Sequence, residues 1–169
     1  MEVQISLKKS DLIHFNFSLL PRDRSTYISI LFIAVLVCGF LLWQKGLPHT
    51  VEQWAILGAG SFGGGIGGMF AGFLVSMIFI IFSSTEKNGI LGHHTYEITS
   101  DGLHEITDTN ESVSKWEGIQ EVRIVGSYFV FRISSYLFHI IPFRSFCSQE
   151  VRQEFIRLSL KYWRHAHLK

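Results

Sequence analysis

The feature that most constrains the fold is a run of 29 residues, Trp54 to Phe82, that contains no charged side chain. Inside it a small residue recurs at every fourth position, and this row consists of Gly60, Gly64, Gly68, Gly72 and Ser76. In water, each glycine inside a helix costs about 0.5–1 kcal/mol relative to alanine. In a bilayer glycines let a second helix approach closely, because no hydrophobic force drives helices together there. The pattern predicts a membrane helix with a glycine-zipper packing face.

The partner of this face is left open by the spacing. The same glycines are also compatible with a flexible, poorly helical apolar segment, but their strict register favours helix packing. A second row of small residues lies beside the first and consists of Ala59, Gly63, Gly67 and Ala71. The chain's other apolar helix and a second copy of the chain are both candidate partners, so an intramolecular hairpin, a dimer and a larger ring remain alternatives.

A second uncharged block runs for 20 residues from Ser25 to Gln44, which is long enough to cross a hydrocarbon core of about 30 Å. The 29-residue run would rise about 44 Å as a helix, so we expect it to tilt or to begin in the interface. The first block starts too late and is too long for a cleaved signal peptide. We therefore predict an amino-terminal segment (1–24), a two-helix transmembrane hairpin (25–84) and a carboxy-terminal domain (85–169).

Orientation follows from the basic residues near the two blocks. Lys8, Lys9, Arg22 and Arg24 precede the first block, whereas the loop between the blocks carries only Lys45. Positive residues accumulate on the cytoplasmic side of membrane proteins. We predict a multi-pass protein whose amino and carboxy termini are both cytoplasmic.

The carboxy-terminal half alternates between apolar and polar residues, which is typical of β-strands. We predict six short strands, which are 94–99, 103–107, 111–116, 118–125, 128–134 and 136–141. Ser148 then provides an N-cap for a helix with an apolar stripe at Val151, Phe155, Leu158 and Tyr162. The predicted fold class is membrane α+β, with two transmembrane helices followed by a small antiparallel sheet that a carboxy-terminal helix closes. Whether the alternating segment from Glu2 to Leu7 adds a strand is not decided by the pattern.

The predicted last helix also carries a basic face, formed by Arg152, Arg157, Lys161 and Arg164. Attraction between such residues and anionic lipid amounts to about 1 kcal/mol per residue at a membrane surface. Basic residues in the last turns of a helix also interact favourably with its dipole, and an exposed basic face is usually just solvated. Contact with membrane lipid is therefore one of two interpretations of this face.

Residues that could carry chemistry are few. His93 and His94 are adjacent, so in a strand they point to opposite faces and cannot chelate one metal together, and His104 has no acidic or cysteine partner at ligand spacing. No nucleophile motif or phosphate loop occurs, and a net charge of +1 without a basic run gives no reason to expect nucleic-acid binding. We expect no catalytic residues, no metal, no cofactor and no enzymatic activity.

Several segments resemble one family in order and spacing. They are Leu91 to Leu103, Asn110 to Ser112, Lys115 to Ile119, and Tyr136 to Arg144 with Ile140-Ile141-Pro142. This pattern is similar to the YcxB-like family of bacterial membrane proteins, and the carboxy-terminal domain also resembles bacterial pleckstrin-homology-like (PH-like) domains. The resemblance implies a bent sheet closed by a helix, and it transfers no catalytic residue or ligand.

The resemblance also places certain residues at packing positions. Trp116 and Ile119 fall at a corner between strand and turn, and Ile141 and Pro142 fall at the exit toward the helix. Together with Phe155 of the helical stripe, these residues are the predicted core of the domain. A large aromatic side chain can close a small core, and a proline stops a strand.

These observations predict a protein of the bacterial plasma (inner) membrane that acts as an adaptor or regulator. Its PH-like domain would bind a protein or membrane lipid, and its glycine face would pair the two spans or assemble copies of the chain. The alternative hypothesis is a pore or channel subunit that self-assembles through the glycine face. The spans carry no Asp, Glu, Lys or Arg of the kind that marks an ion path, which disfavours a transporter that acts alone.

Overall fold

The computed structural model of the protein describes residues 1–85, 89–135 and 137–168. The chain divides into two compact units. One unit, called here the sheet unit, combines Met1–Ser18 with Ile81–Lys169. The other unit, called here the hairpin, comprises Leu19–Ile80.

Three helices lie in the first half of the chain, and they are α1 (Lys9–Leu19), α2 (Arg24–Lys45) and α3 (Val51–Ser83). Both α2 and α3 are long and apolar enough to cross a membrane. Their large apolar side chains are mostly exposed, with Ile28 at 67% and Phe79 at 68%. Such surfaces are unfavourable in water and favourable in hydrocarbon.

Local signals explain where these helices begin and end. The Asp23 side chain accepts a hydrogen bond from the Ser25 backbone N–H (3.0 Å) and caps the start of α2. Gly46 follows the last residue of α2 with a φ of 76°, a left-handed conformation that glycine adopts at little cost. At the start of α3, Thr50 Oγ1 accepts from the Gln53 N–H (3.2 Å), so a polar side chain satisfies one of the first N–H groups of the helix.

The sheet unit contains two antiparallel sheets. The first has the order β1-β2-β3-β4 and the second has the order β5-β6-β7. Their bounds are β1 (Glu2–Leu7), β2 (Gly92–Ile98), β3 (Gly102–Thr107), β4 (Glu111–Lys115), β5 (Glu121–Val125), β6 (Tyr128–Arg132) and β7 (Phe138–Pro142). Helix α4 (Gln149–His167) follows the second sheet. The two helices, the antiparallel strands and the final helix confirm the predicted fold class.

Aromatic side chains fill the core of the sheet unit. Phe129 and Phe131 of β6 are buried, and Phe155 of α4 is fully buried against Phe129 at 6.2 Å between ring centroids. The indole N–H of Trp163 donates to the Ile119 carbonyl at 2.7 Å, which fixes α4 to the strands. The amphipathic stripe of α4 therefore supplies one wall of the core, as its helical period predicts.

The amino-terminal segment contributes a strand and a helix to the sheet unit. Strand β1 pairs with β2 along its whole length, from Glu2 opposite Glu97 to Leu7 opposite Gly92. The helix α1, which the sequence analysis did not predict, places the Phe15 ring against Phe138 at 5.7 Å between centroids. Residues 2–18 are thus part of the sheet unit although α2 and α3 separate them from the rest of it in sequence.

Strand boundaries differ from the sequence-based prediction by a few residues at several ends, and two of these differences concern the connections between strands. Trp116–Gly118 form a 3-10 turn between β4 and β5, because the chain passes there from one sheet to the other. Tyr136, where the last strand was predicted to begin, lies outside the described residues, and β7 begins at Phe138. The N-cap prediction at Ser148 is confirmed, because its side chain accepts from the Val151 N–H at 3.3 Å.

Candidate functional site

A polar cluster lies between the two sheets and is centred on the carboxylate of Glu105 in β3. His94 Nδ1 of β2 lies 3.0 Å from Glu105 Oε1, and His139 Nδ1 of β7 lies 3.4 Å from Glu105 Oε2. Tyr96 Oη donates a hydrogen bond to Oε1, and Ser112 Oγ of β4 donates to Oε2 at 3.5 Å. We call these five residues the Glu105 cluster. It joins three strands of one sheet to a strand of the other.

Strand alternation explains why these polar groups face inward. Tyr96 of β2 and Ser112 of β4 both stand directly opposite Glu105 in the register, so the three side chains project from the same face. The same face carries Ile98 and Leu103, which are buried. Glu105 therefore occupies a position that the strand pattern assigns to the core, although its side chain keeps 16% exposure.

The electrostatics of the cluster favour an ionised carboxylate. Burial alone would raise the pKa of Glu105, but hydrogen bonds from His139 and His94 and the positive charge that His139 can carry outweigh burial and hold that pKa well below 4.5. Burial, together with the neighbouring carboxylate, raises the pKa of Tyr96 well above 10.0. Glu105 is thus an anion that accepts hydrogen bonds, and Tyr96 is a neutral donor.

Ser114 of β4 lies next to the Glu105 cluster, so that a serine, a histidine and a carboxylate are in consecutive contact. Ser114 Oγ lies 3.4 Å from His139 Nε2, and His139 Nδ1 lies 3.4 Å from Glu105. Both distances are at the long end for hydrogen bonds, and nucleophilic catalysis also needs donors for an oxyanion. These contacts connect a strand of the first sheet to a strand of the second, and this structural role explains them without catalysis. That the protein has no enzymatic activity stays a prediction.

The predicted core positions all lie within the sheet unit. Trp116 and Ile119 are buried at the 3-10 turn between the sheets, Ile141 and Pro142 are buried at the end of β7, and Phe155 is buried on α4. The Trp116 indole N–H donates to the Thr99 carbonyl at 3.0 Å.

The basic residues of α4 lie in different local environments. Arg157 forms an ion pair with Glu154 at 2.6 Å, and the Arg152 guanidinium lies 4.6 Å from the centre of the Phe143 ring. Lys161 and Arg164 are exposed. Along an ideal helix, Arg157, Lys161 and Arg164 fall within about 60° of one another, whereas Arg152 projects from the other side. Contact of these residues with lipid stays a prediction.

The glycine row of α3 faces α2 over part of its length. A Cβ added at Gly64 would lie 3.1 Å from Val37, one at Gly68 would lie 3.0 Å from Ile33, and one at Gly60 would lie 3.7 Å from Leu41. The closest approach is at Gly65, outside the predicted row, where a Cβ would lie 2.6 Å from the Ile30 carbonyl oxygen. Part of the small surface of α3 therefore packs within the hairpin.

Other members of the small surface have open space instead. A Cβ at Gly63, Gly67 or Gly72 would meet nothing within 4 Å. Ser76, at the end of the predicted row, donates its hydroxyl to the Gly72 carbonyl at 3.0 Å.

The histidines named in the sequence analysis separate as strand alternation requires. His94 is buried in the Glu105 cluster, whereas its neighbour His93 is exposed. His104 of β3 is half-buried and stands opposite Glu97 in the register. Among the described residues no group of three or more His, Cys, Asp or Glu side chains is placed to hold a metal ion.

Sequence reasoning missed the Glu105 cluster and the ion pair between Asp11 and Arg144 (2.7 Å). The sequence held one signal for the cluster. Leu103 and Glu105 lie two residues apart in one strand and therefore share a face, and an acidic residue on a face that points to the core is unusual. The sequence held no comparable signal for Asp11 and Arg144, which lie 133 residues apart.

Residues 98–159 match the family described as YcxB-like protein. This match lies within the sheet unit, from the end of β2 into α4, and it confirms the resemblance drawn from the sequence motifs. No curated protein and no solved structure matches the chain. The family description gives no reaction, ligand or partner.

Proposed function

We propose that this protein is a non-enzymatic adaptor or regulator of the bacterial plasma membrane. Helices α2 and α3 would cross the membrane as a hairpin and hold the sheet unit at the cytoplasmic surface. There the sheet unit, with the arrangement of a PH-like domain, would bind a protein or lipid.

The observation that carries this proposal is the pairing of β1 with β2. Strand β1 precedes the two apolar helices and β2 follows them, yet the strands are in register over six residue pairs. A chain that leaves a folded unit, enters a bilayer and returns to the same unit must cross the bilayer an even number of times. Two crossing helices meet this requirement, and the residues before α2 carry the positive charges expected on the cytoplasmic side.

The surface of the hairpin supports the membrane location. Large side chains such as Leu31, Phe32 and Phe62 are each more than 60% exposed. Contiguous apolar surfaces of this kind mark contact with lipid or with another protein. Trp43 lies near the end of α2 and Trp54 lies near the start of α3, on either side of the short loop between the two helices. Tryptophan favours the membrane interface.

The architecture of the sheet unit supports the binding role. Two antiparallel sheets and a carboxy-terminal helix that packs into them agree with the PH-like resemblance. The outward face of the first sheet carries Ile106 and Val113, with exposures of 43% and 50%. Apolar side chains on an otherwise polar face are candidates for contact with a partner.

Membrane topology is tested with the two natural cysteines. In a Cys38→Ser background, Cys147 is exposed and reports on the sheet unit. A second variant combines Cys38→Ser with Cys147→Ser and Leu47→Cys. Its single cysteine reports on the loop between the helices, since Leu47 is 69% exposed. We expect a membrane-impermeant maleimide to label the loop in intact spheroplasts and to label Cys147 only after lysis. Labelling of Cys147 in intact spheroplasts would contradict the proposed side, and equal labelling of both would contradict two crossings.

Partner binding is tested in cells with the full-length protein. A photo-cross-linking amino acid at Val113 or Ile106 is expected to give a discrete product with a membrane protein or with lipid, and the same amino acid at Leu47 serves as the control. Products that appear equally from all three positions, or from none, would remove the basis of the adaptor proposal. The alternative of a self-assembling pore would have to use the open row around Gly63 and Gly67.

A further inference from the structure

A pocket with a volume of about 420 Å³ lies in the sheet unit where β1 ends and α1 begins. Lys8 and Lys9 line it from this junction, and Gly92 and His93 line it from the start of β2. Its size falls in the range of pockets that hold small molecules. Neither the Glu105 cluster nor the basic face of α4 contributes to its walls.

The charge of the pocket is positive. Within the described part of the chain, neither Lys8 nor Lys9 forms an ion pair, and Asp108 is the one acidic residue in the walls. The carboxylate nearest in sequence, Asp11, accepts from the Lys8 backbone N–H at 2.8 Å and pairs with Arg144 at 2.7 Å. Asp11 is therefore already engaged by two donors.

A third basic group borders the same walls. The Arg144 guanidinium donates to the carbonyl of Ser6, a lining residue, at 3.0 Å. Its charge is paired with that of Asp11 at 2.7 Å, so these two groups together leave the charge of the walls unchanged. Two lysines and His93 thus line a cavity with one carboxylate, that of Asp108, among the described residues.

The chain segments that form the pocket are those that lead to and from the apolar helices. Lys9 is the first residue of α1, which continues toward α2, and Leu91 to His93 follow the end of α3. Under the proposed membrane anchoring, the chain ties the sheet unit that carries this pocket to the bilayer at Ser18 and at Ile81. Such a tether keeps a basic pocket within reach of anionic headgroups.

We propose that this pocket binds a phosphate-bearing anion, in the first instance the phosphate of an anionic lipid headgroup. Lysine ammonium groups bind phosphate as point charges with three donors each, and two lysines line this pocket. On α4, Arg157 is paired with Glu154 and Arg152 lies over Phe143, and neither Lys161 nor Arg164 is among the described residues that line this pocket. This inference rests on the proposed membrane anchoring, and it assigns the headgroup to a particular pocket.

The test uses the full-length protein in a neutral detergent and native mass spectrometry of bound lipid. The probes are a short-chain phosphatidylglycerol, a phosphatidylcholine with the same acyl chains, and glycerol 3-phosphate as a soluble phosphate ester. The variants are Lys8→Ala/Lys9→Ala, the charge-preserving Lys8→Arg/Lys9→Arg, and Arg157→Ala/Lys161→Ala on α4 as the control for charge lost elsewhere. The lysines are exposed, and unchanged thermal unfolding would show that the variants fold.

We expect phosphatidylglycerol to bind more tightly than phosphatidylcholine. Each lysine should raise the affinity for phosphatidylglycerol about fivefold, so the double alanine variant should bind this lipid about 25-fold more weakly. The arginine variant and the α4 control should remain within about twofold of the natural protein. Competition by millimolar glycerol 3-phosphate would identify a soluble phosphate ester as the ligand source, and its absence would identify the lipid.

Two results would overturn the proposal. One is equal binding of the two lipids together with no binding of glycerol 3-phosphate, and the other is an equal loss of affinity in the Lys8/Lys9 and Arg157/Lys161 variants. Either result, obtained while cysteine labelling and cross-linking agree with the anchored adaptor, would reject the pocket and leave the proposed function standing.

Discussion

Replacing Glu105 by glutamine tests whether the Glu105 cluster holds the two sheets together. The amide keeps the shape of the side chain but removes the charge and replaces one acceptor oxygen by an N–H₂ donor. In the natural protein His94, His139 and Tyr96 all bond to the carboxylate, and hydrogen bonds to charged groups contribute about 1.5–3 kcal/mol each. Leaving a buried donor without its acceptor costs about 1–3 kcal/mol, and since three donors share this carboxylate we expect a total loss of about 3 kcal/mol.

The cost should depend on pH in a defined direction. The pKa of Glu105 is lowered in the folded state by the hydrogen bonds from His139 and His94, against the opposing effect of burial. A carboxyl group with a lowered pKa stabilises the fold above its ordinary pKa of 4.5, and this contribution is lost as the pH falls below that value. The difference in stability between the natural protein and Glu105→Gln should therefore be full at pH 7 and should shrink progressively below pH 4.5.

The assay is thermal unfolding of the full-length protein in detergent, followed by tryptophan fluorescence. Trp116 and Trp163 lie in the sheet unit and report on its unfolding. For a unit of about 100 residues the expected loss corresponds to a fall in Tm on the order of 15 °C. The matched control is Glu97→Gln, an exposed carboxylate on the other face of the same sheet, with an expected change below about 2 °C.

Glu105→Gln and Glu97→Gln could unfold at the same temperature at pH 7, or the difference in Tm between Glu105→Gln and the natural protein could stay constant from pH 7 to pH 3. Either result would mean that the carboxylate contributes no net stabilisation through the contacts that surround it.

Two further predictions concern the hairpin and the last helix. Gly65→Leu should move α2 away from α3, because a Cβ there would lie 2.6 Å from the Ile30 carbonyl oxygen. Gly63→Leu should leave the two helices in place, because a Cβ there would meet nothing within 4 Å. The distance between spin labels at the exposed residues Leu36 and Phe62 would measure the separation of the helices. Equal distances in both variants would contradict the close packing at Gly65. Ser148→Ala should cost about 1 kcal/mol by removing the N-cap of α4, and Ser148→Asp should retain most of that stability. Thermal unfolding would measure both, and an unchanged Tm in the alanine variant would show that the cap is not needed.

The elements that depend on neighbours in sequence could be predicted from the sequence alone. The uncharged runs predicted both apolar helices, because length and composition decide whether a helix suits a bilayer. Alternation predicted the six strands after the hairpin, and Ser148 predicted the start of α4, because each signal acts within a few residues. The motifs from Leu91 to Arg144 predicted the family match.

The tertiary structure decided the features that join distant segments. The pairing of β1 with β2, the ion pair between Asp11 and Arg144, and the contact of Glu105 with His139 each link residues that the chain holds far apart. Strand alternation shows which residues share a face, but it does not show which strand lies opposite or which side chain completes a buried hydrogen bond. The glycine row predicted a packing surface in the same way, and only the folded hairpin shows that α2 covers part of it. Local periodicity is encoded in short segments, whereas the choice among distant partners is made by the free energy of the whole fold.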